Sequence, residues 1–171
     1  GNDLLKGGAG ADSIAGGDGN DTITGGLGAD TVSGGIGQNT YVYGSNLDSY
    51  IASTTDVASG FDFVRVISGD KFNFGTPVTA VESAGAATKF LVPEPLTNSG
   101  TDLMALLDKY FNANAKTGVA AALFETTASL KDYLVVDLNG DQHITAADQV
   151  VQLSGSISSI QLNTNGHVII G

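Results

Sequence analysis

Side chains with a carboxylate or amide oxygen recur every nine residues through the first part of the chain. They are Asp3, Asp12, Asp21, Asp30, Asn39 and Asp48. Oxygen ligands of this kind bind hard divalent cations, which need several of them in one place. Acids held in one register therefore predict cation binding, provided that the backbone brings successive units together.

The residues between these acids form a repeated unit of Gly-Gly-x-Gly-x-Asp followed by a short segment such as Thr-Ile-Thr. Glycine permits the positive φ angles of a tight turn, whereas β-branched residues favour a strand. Each unit thus predicts a six-residue turn and a three-residue strand, and two units make one coil of a parallel β-roll. One apolar or aromatic residue per strand faces the interior, namely Leu5, Ile14, Ile23, Val32, Tyr41 and Tyr50.

Turns on one side of such a roll are 18 residues apart in sequence, which predicts four ligand pairs: Asp3 with Asp21, Asp12 with Asp30, Asp21 with Asn39, and Asp30 with Asp48. Without a cation, each close pair of acids repels by about 1 kcal/mol even in water. Calcium takes about six to eight oxygens, so the carbonyl groups of the glycine turns complete its shell. We expect the uncharged Asn39 to give a weaker site. The glycines assigned to the sites are Gly8, Gly10, Gly17, Gly19, Gly26, Gly28, Gly35 and Gly37.

The unit G-G-x-G-x-D-x-U-x, where U is a large apolar residue, resembles the calcium-binding nonapeptide repeat of RTX proteins. The resemblance implies a calcium-filled β-roll in a secreted protein, with a C-terminal signal read by the type I secretion machinery. A flexible acidic linker would not hold acids and apolar residues in one register, although it describes the calcium-free state. Phosphate binding is disfavoured because neither G-x-G-x-x-G nor G-K-S/T occurs.

The amino-acid composition limits which kinds of partner the chain is expected to bind. Its 171 residues carry 18 acids and 7 bases, for a net charge of −11, which disfavours nucleic acid and anionic membranes and favours cations. Cysteine is absent, so calcium rather than disulfides is the expected source of stability outside the cell. No apolar run is long enough to insert into a membrane. Because the chain begins within a repeat, we expect it to be the C-terminal part of a longer protein.

The chain from residue 51 onward is predicted to be a separate β-rich domain. Its segment FDFVRVISGDKFNF resembles the strand pair after the last repeat in serralysin-type C-terminal domains and S-layer proteins, which makes Asp62 a candidate calcium ligand. Val66 stands where that family usually has a second acid.

Apolar spacing predicts an amphipathic helix over residues 101–115. The expected fold is mainly all-β: a parallel β-roll over residues 1–50 and a β-sandwich-like cap with one helix over residues 51–171.

A second candidate calcium site follows a predicted strand near the C-terminus. The segment DLNGDQHITAAD aligns with an EF-hand loop, in which Asp137, Asn139, Asp141 and Asp148 supply side-chain oxygens and His143 a carbonyl oxygen. Gln142 occupies the usual glycine position. The alternative interpretation is an Asx-rich turn that caps a short helix.

Catalytic motifs are missing, since the chain has two histidines and neither H-E-x-x-H nor G-x-S-x-G. We therefore expect a non-catalytic module. The resemblance favours the C-terminal part of an extracellular surface-layer protein that folds on calcium binding, with self-association or surface polysaccharide as further contacts. A secretion and stability module of a protease, lipase or alginate-modifying enzyme, or of an adhesin, is the alternative.

Overall fold

A computed structural model describes residues 1–44, 48–49, 61–82, 90–92, 108–109, 118–126, 131–145 and 147–171. Five strands belong to the repeat: β1 (Leu4–Ala9), β2 (Ser13–Asp18), β3 (Thr22–Leu27), β4 (Thr31–Ile36) and β5 (Thr40–Val42). Nine more follow it: β6 (Phe63–Arg65), β7 (Lys71–Asn73), β8 (Ala80–Glu82), β9 (Phe90–Val92), β10 (Ala120–Thr126), β11 (Asp132–Asp137), β12 (Gln149–Ser154), β13 (Ile160–Leu162) and β14 (Val168–Ile170).

The repeat forms the predicted parallel β-roll. Strands β1, β3 and β5 lie side by side in one sheet, and β2 pairs with β4 in a second sheet. Residues 18 apart pair directly, so Leu5 lies beside Ile23 and Ile14 beside Val32. One coil therefore takes two nonapeptides, and the predicted all-β class and roll are confirmed.

Each of the first four strands is six residues long rather than the predicted three. The strands continue through the glycine pair, where Gly8 pairs with Gly26 and Gly17 with Gly35. Their φ angles are positive, for example 115° at Gly8. Because identical turns stack on one another, the backbone hydrogen bonds persist where a lone glycine turn would end a strand.

The roll continues beyond the glycine repeats. Strand β6 pairs in parallel with β4, and β7 pairs in parallel with β5. The strand pair predicted from FDFVRVISGDKFNF therefore lies in two opposite sheets, because the turn at Ser68 and Gly69 carries the chain from one to the other.

Both sheets extend into the later part of the chain. The first sheet runs β1-β3-β5-β7-β14-β13, and the second runs β2-β4-β6-β12-β11-β10-β8, with β9 also beside β10. Strands β10 and β11 are antiparallel neighbours, and the C-terminal segment supplies β13 and β14. The sheets thus cross residue 50, where we placed the boundary between two domains.

The buried side chains change from aliphatic to aromatic along the roll. Ile23 and Val32 are fully buried in the repeat, but the side chains after it are aromatic and larger. The ring of Tyr41 stacks on Phe72 at 5.0 Å between centroids, and that of Tyr43 on Phe74 at 5.5 Å. Further along, all six residues of β11 are buried. The thickest packing therefore lies after the repeat.

The helix predicted over residues 101–115 falls outside the described residues, apart from Asp108 and Lys109, whose backbone is helical. Within the described ranges, no helix has the length and apolar character that crossing a membrane requires.

Candidate calcium sites in the turns

The turns stack their acids into two columns. The first column contains Asp12, Asp30 and Asp62, and the second contains Asp3, Asp21, Asn39 and Asp70. In each column the backbone N–H of one member donates to Oδ1 of the next, at distances between 2.8 and 3.0 Å. These contacts match three predicted pairs, Asp3 with Asp21, Asp12 with Asp30, and Asp21 with Asn39.

Asp48 does not stack on Asp30 in the first column, and the predicted ligand pair of Asp30 with Asp48 stays a prediction. Asp62 takes that place and accepts the Asp30 N–H at 2.9 Å, because β6 is the neighbour of β4. Asp48 is buried outside the column, where its Oδ2 accepts the Gly44 N–H at 2.8 Å, and its charge still acts on Asp30. Counting in nines does not lead to Asp62, because the nine-residue period stops after Tyr50 and Asp62 lies 14 residues beyond Asp48.

Asp70 was absent from the predicted site residues, although it closes the second column. A signal for it does exist in the sequence. Asp70 precedes Phe72 by two residues, and Asp62 precedes Val64 by two, which repeats the D-x-U spacing of the nonapeptide.

Three acids each bury a carboxylate oxygen that has no hydrogen-bond partner among the described residues. These atoms are Oδ2 of Asp12, Asp21 and Asp30. Asp21 and Asp30 are each 1% exposed. A buried carboxylate oxygen without a donor is costly, and a bound cation would satisfy it. The donor set therefore fits a metal ion in these turns.

The pKa of the Asp30 carboxyl also fits a cation site in the turns. Burial raises the pKa of its carboxyl, the backbone N–H of Asp12 lowers it, and the carboxylates of Asp12 and Asp48 raise it further. Burial and like charges thus oppose ionisation, and a divalent cation would reverse both effects.

Backbone carbonyl oxygens lie beside the unpartnered carboxylates. A Cβ placed on Gly16 would overlap Oδ2 of Asp21 and come within 2.6 Å of the Gly34 carbonyl oxygen. One on Gly7 would lie 2.7 Å from Oδ2 of Asp12 and 2.5 Å from the Gly25 carbonyl oxygen. Gly25 and Gly34 are the first glycines of their turns, which the predicted ligand set omitted. The predicted second and third glycines all have positive φ, and their role as ligands stays a prediction.

Across the described residues, no three side chains of His, Cys, Asp or Glu converge as a metal-binding group. The turns instead offer one or two carboxylates together with carbonyl oxygens. Such an all-oxygen set suits calcium, whereas zinc prefers histidine and cysteine.

Asn39 interrupts the second column. Its Oδ1 accepts the Asp21 N–H at 3.0 Å, and its Nδ2 is buried without a partner in the described structure. An amide nitrogen cannot bind a cation, so the predicted weaker site here has a geometric basis.

We expect Asn39→Asp to tighten calcium binding at the site shared with Asp21 severalfold, because a second carboxylate oxygen replaces Nδ2. Without calcium, the same change should lower the free energy of unfolding by adding a like charge to the column. Calorimetric titration and urea unfolding in chelator measure the two effects. Equal stability changes with and without calcium would contradict the assignment.

The second oxygen of the last acid in each column lies beside a tyrosine hydroxyl. Oδ2 of Asp62 accepts the Tyr43 O–H at 2.9 Å, and Oδ2 of Asp70 lies 3.3 Å from the Tyr41 hydroxyl. Burial is the main cause that raises the pKa of Asp62 to about 7, while hydrogen bonds from Asp30 and Tyr43 lower it.

In the loop between β11 and β12, the two buried acids accept hydrogen bonds from backbone N–H groups of the same loop. Both oxygens of Asp137 accept backbone N–H groups, from Gly140 at 2.7 Å and Gln142 at 2.9 Å. Those of Asp148 accept the N–H groups of Leu138 and Thr145. Gln142 has a φ of 69°, as the glycine of an EF-hand loop would.

The remaining predicted ligands of this loop are exposed. Asn139 and Asp141 are hydrogen-bonded to each other, and the His143 ring lies 3.2 Å from a carboxylate oxygen of Asp108. These hydrogen bonds are those of an Asx-rich turn, and the calcium site of this loop stays a prediction.

We expect Asp141→Asn to leave the number of bound calcium ions unchanged, since Asp141 serves mainly as an acceptor for the His143 N–H at 2.8 Å. Asp30→Asn is the matched acid-to-amide control and should reduce that number. Loss of an ion from the Asp141 variant would establish the EF-hand-like site instead.

A comparison with protein-family models agrees with the repeat. Residues 7–41 match the family model of the RTX calcium-binding nonapeptide repeat, in four copies. No curated protein sequence matches the chain. Among solved structures, the chain is similar to the solution structure of the AlgE6R3 subunit from the Azotobacter vinelandii mannuronan C5-epimerase, with 20% identity and a TM-score of 0.41. That match covers 91% of this chain and 74% of the other.

Proposed function

We propose that the chain is a non-catalytic module whose folding is driven by calcium in the turns of the roll. The observation that carries the proposal is the set of buried Oδ2 atoms on Asp12, Asp21 and Asp30, which have no partner in the described structure. Each marks a turn that is incomplete without a cation.

The energetics of the repeat favour a switch rather than a permanently folded roll. The core of the repeat is thin, because each strand contributes one large apolar side chain, such as Ile23 or Val32. Extracellular calcium modules bind with Kd near 10⁻⁴–10⁻³ M. One site at tenfold saturation adds about 1.4 kcal/mol, so several sites together supply a few kcal/mol. The sites are then empty at cytosolic calcium and filled outside the cell.

This dependence suits export by a type I secretion machinery, since an unfolded chain can be exported and then fold outside the cell. The net charge of −11 and the lack of cysteine support an extracellular, calcium-rich setting. The parent protein is a surface-layer or similar structural protein in this proposal, in which calcium orders contacts between copies. Electron microscopy tests that setting: calcium-dependent sheets or filaments are expected, and a monomer at all calcium concentrations would favour the secretion module of an enzyme or adhesin.

Calorimetric titration of the 171-residue chain tests calcium binding itself. We expect more than one calcium ion per chain and much weaker binding of magnesium, because magnesium demands a small octahedral shell and keeps its water ligands. A chain that binds no calcium at millimolar concentration would contradict the proposal.

A further inference from the structure

We propose that each column of acids ends in a tyrosine–aspartate pair that takes the place of a calcium ion. The pairs are Tyr43 with Asp62 and Tyr41 with Asp70. The inference rests on the proposed function, because it sets where the calcium sites stop.

Asp62 and Asp30 occupy equivalent places in the first column but differ in their second oxygen. Oδ1 of each accepts a backbone N–H from the preceding acid, at 2.9 Å for Asp62 and 2.8 Å for Asp30. Oδ2 of Asp30 has no partner in the described structure, whereas Oδ2 of Asp62 accepts the Tyr43 O–H at 2.9 Å. The tyrosine thus supplies what a cation would supply one coil earlier.

The second column ends in a similar way. Oδ2 of Asp70 accepts the Ile67 N–H at 3.0 Å, and the Tyr41 hydroxyl lies 3.3 Å from the same oxygen. That hydroxyl also accepts the Gly34 N–H at 3.0 Å and lies 2.9 Å from the Arg65 carbonyl oxygen. The Tyr41 hydroxyl has a single proton to donate, and the Arg65 carbonyl oxygen is a nearer acceptor than Oδ2 of Asp70. The hydroxyl therefore fills space next to the turn that contains Asn39.

The sequence explains why the change occurs in this coil. Tyr41 stands at the U position of its nonapeptide, where the earlier units have Ile23 and Val32. Aliphatic side chains end in the core, but a tyrosine is long enough to bring its hydroxyl to the turn. Stacking on Phe72 and Phe74 holds both tyrosine rings in place.

Both pairs are shielded from water, since Tyr41 is 2% exposed, Tyr43 4%, and Asp62 and Asp70 1% each. Oδ2 of Asp62 accepts the Tyr43 O–H, and Oδ2 of Asp70 accepts the Ile67 N–H beside the Tyr41 hydroxyl, so neither acid leaves an open oxygen for a metal. The calcium ions accordingly end with the turns of Asp12, Asp21 and Asp30, and Asp62, predicted as a ligand from the sequence, closes its column instead.

Matched acid-to-amide variants test this inference by the number of calcium ions bound per chain, measured by calorimetry and by metal analysis after dialysis. Asp30→Asn is expected to lose at least one ion. Asp62→Asn is expected to keep the wild-type number, because its Oδ1 still accepts the Asp30 N–H and its amide still hydrogen-bonds the tyrosine. Loss of an ion from Asp62→Asn, with the wild type binding normally, would overturn this inference and leave the proposed function standing. A wild-type chain without calcium would overturn both.

Tyr43→Phe covers the case in which Asp62→Asn does not fold, since it keeps every acid. It should bind no fewer ions than the wild type yet unfold at a lower temperature in saturating calcium, because Asp62 loses its donor. An unchanged unfolding temperature, or one ion fewer, would contradict the pair. Tyr41→Phe keeps every acid of the second column and should also retain the wild-type number of ions. Its unfolding temperature does not test the Asp70 contact, because the hydroxyl also bonds Gly34 and Arg65.

Discussion

The double variant Asp21→Asn/Asp30→Asn should require at least tenfold more calcium than the wild type to reach half of its strand signal. Both side chains are buried in the middle of their columns, and both have an Oδ2 without a partner in the described part of the chain. The amide keeps the Oδ1 acceptor, as Asn39 does for the Asp21 N–H, but removes a charge and an oxygen from each column. Calcium titration followed by circular dichroism measures the effect.

Asp18→Asn is the control for the double variant, because Asp18 is an exposed acid of the same roll outside both columns. Its calcium midpoint should stay near that of the wild type. In chelator the double variant should be no less stable than the wild type, since it removes like charges that no cation balances. Equal midpoints for the control and the double variant would contradict the assignment of Asp21 and Asp30 as calcium ligands.

Gly26→Ala should disrupt the stacking of coils far more than Gly8→Ala, although the two glycines occupy the same position of successive coils. Their φ angles are nearly equal, 110° and 115°, so both variants carry a similar backbone strain of about 1–3 kcal/mol. A Cβ on Gly26 would also overlap the carbonyl oxygen of Gly8, whereas one on Gly8 would meet nothing within 4 Å. The clash is between two backbones, which cannot move apart without breaking the ladder.

Thermal unfolding in saturating calcium compares the two glycine variants. Gly35→Ala and Gly17→Ala form a second matched pair, because a Cβ on Gly35 would overlap the Gly17 carbonyl oxygen and one on Gly17 would meet open space. We expect the larger loss of stability at Gly26 and Gly35. Similar losses at all four positions would mean that strain at positive φ, rather than close stacking, explains the glycines.

The repeat could be predicted from the sequence because its information is local. A fixed period places each acid 18 residues from its partner, and the pairing of Asp12 with Asp30 follows without knowledge of any other element. The same reasoning gave the interior position of Ile23 and Val32 and the turn conformation of the glycines.

The end of the roll could not be predicted in this way, because its contacts are distant in sequence. The partner of Asp30 is 32 residues away, across a segment that breaks the period, so extrapolation chose Asp48 rather than Asp62. Strand β6 also pairs with β12, which joins Phe63 to Gln152. No periodic signal connects residues so far apart.

Tyr41 shows a different limit of sequence reasoning. Its position in the repeat correctly predicted a buried side chain. The spacing gave no sign that its hydroxyl would reach Gly34 and Arg65, because that contact depends on the size of the ring and on the coil beside it. The nine-residue period predicts which residues face the core. The hydrogen-bond partners of a side chain's terminal group depend on three-dimensional packing.

Far-UV circular dichroism of the 171-residue chain, first in chelator and then across a calcium titration, tests the central claim most directly. The account predicts a weak strand signal in chelator that rises cooperatively as calcium approaches roughly 10⁻⁴–10⁻³ M, while equal magnesium has little effect. A full strand signal in chelator that calcium does not change would contradict calcium-driven folding.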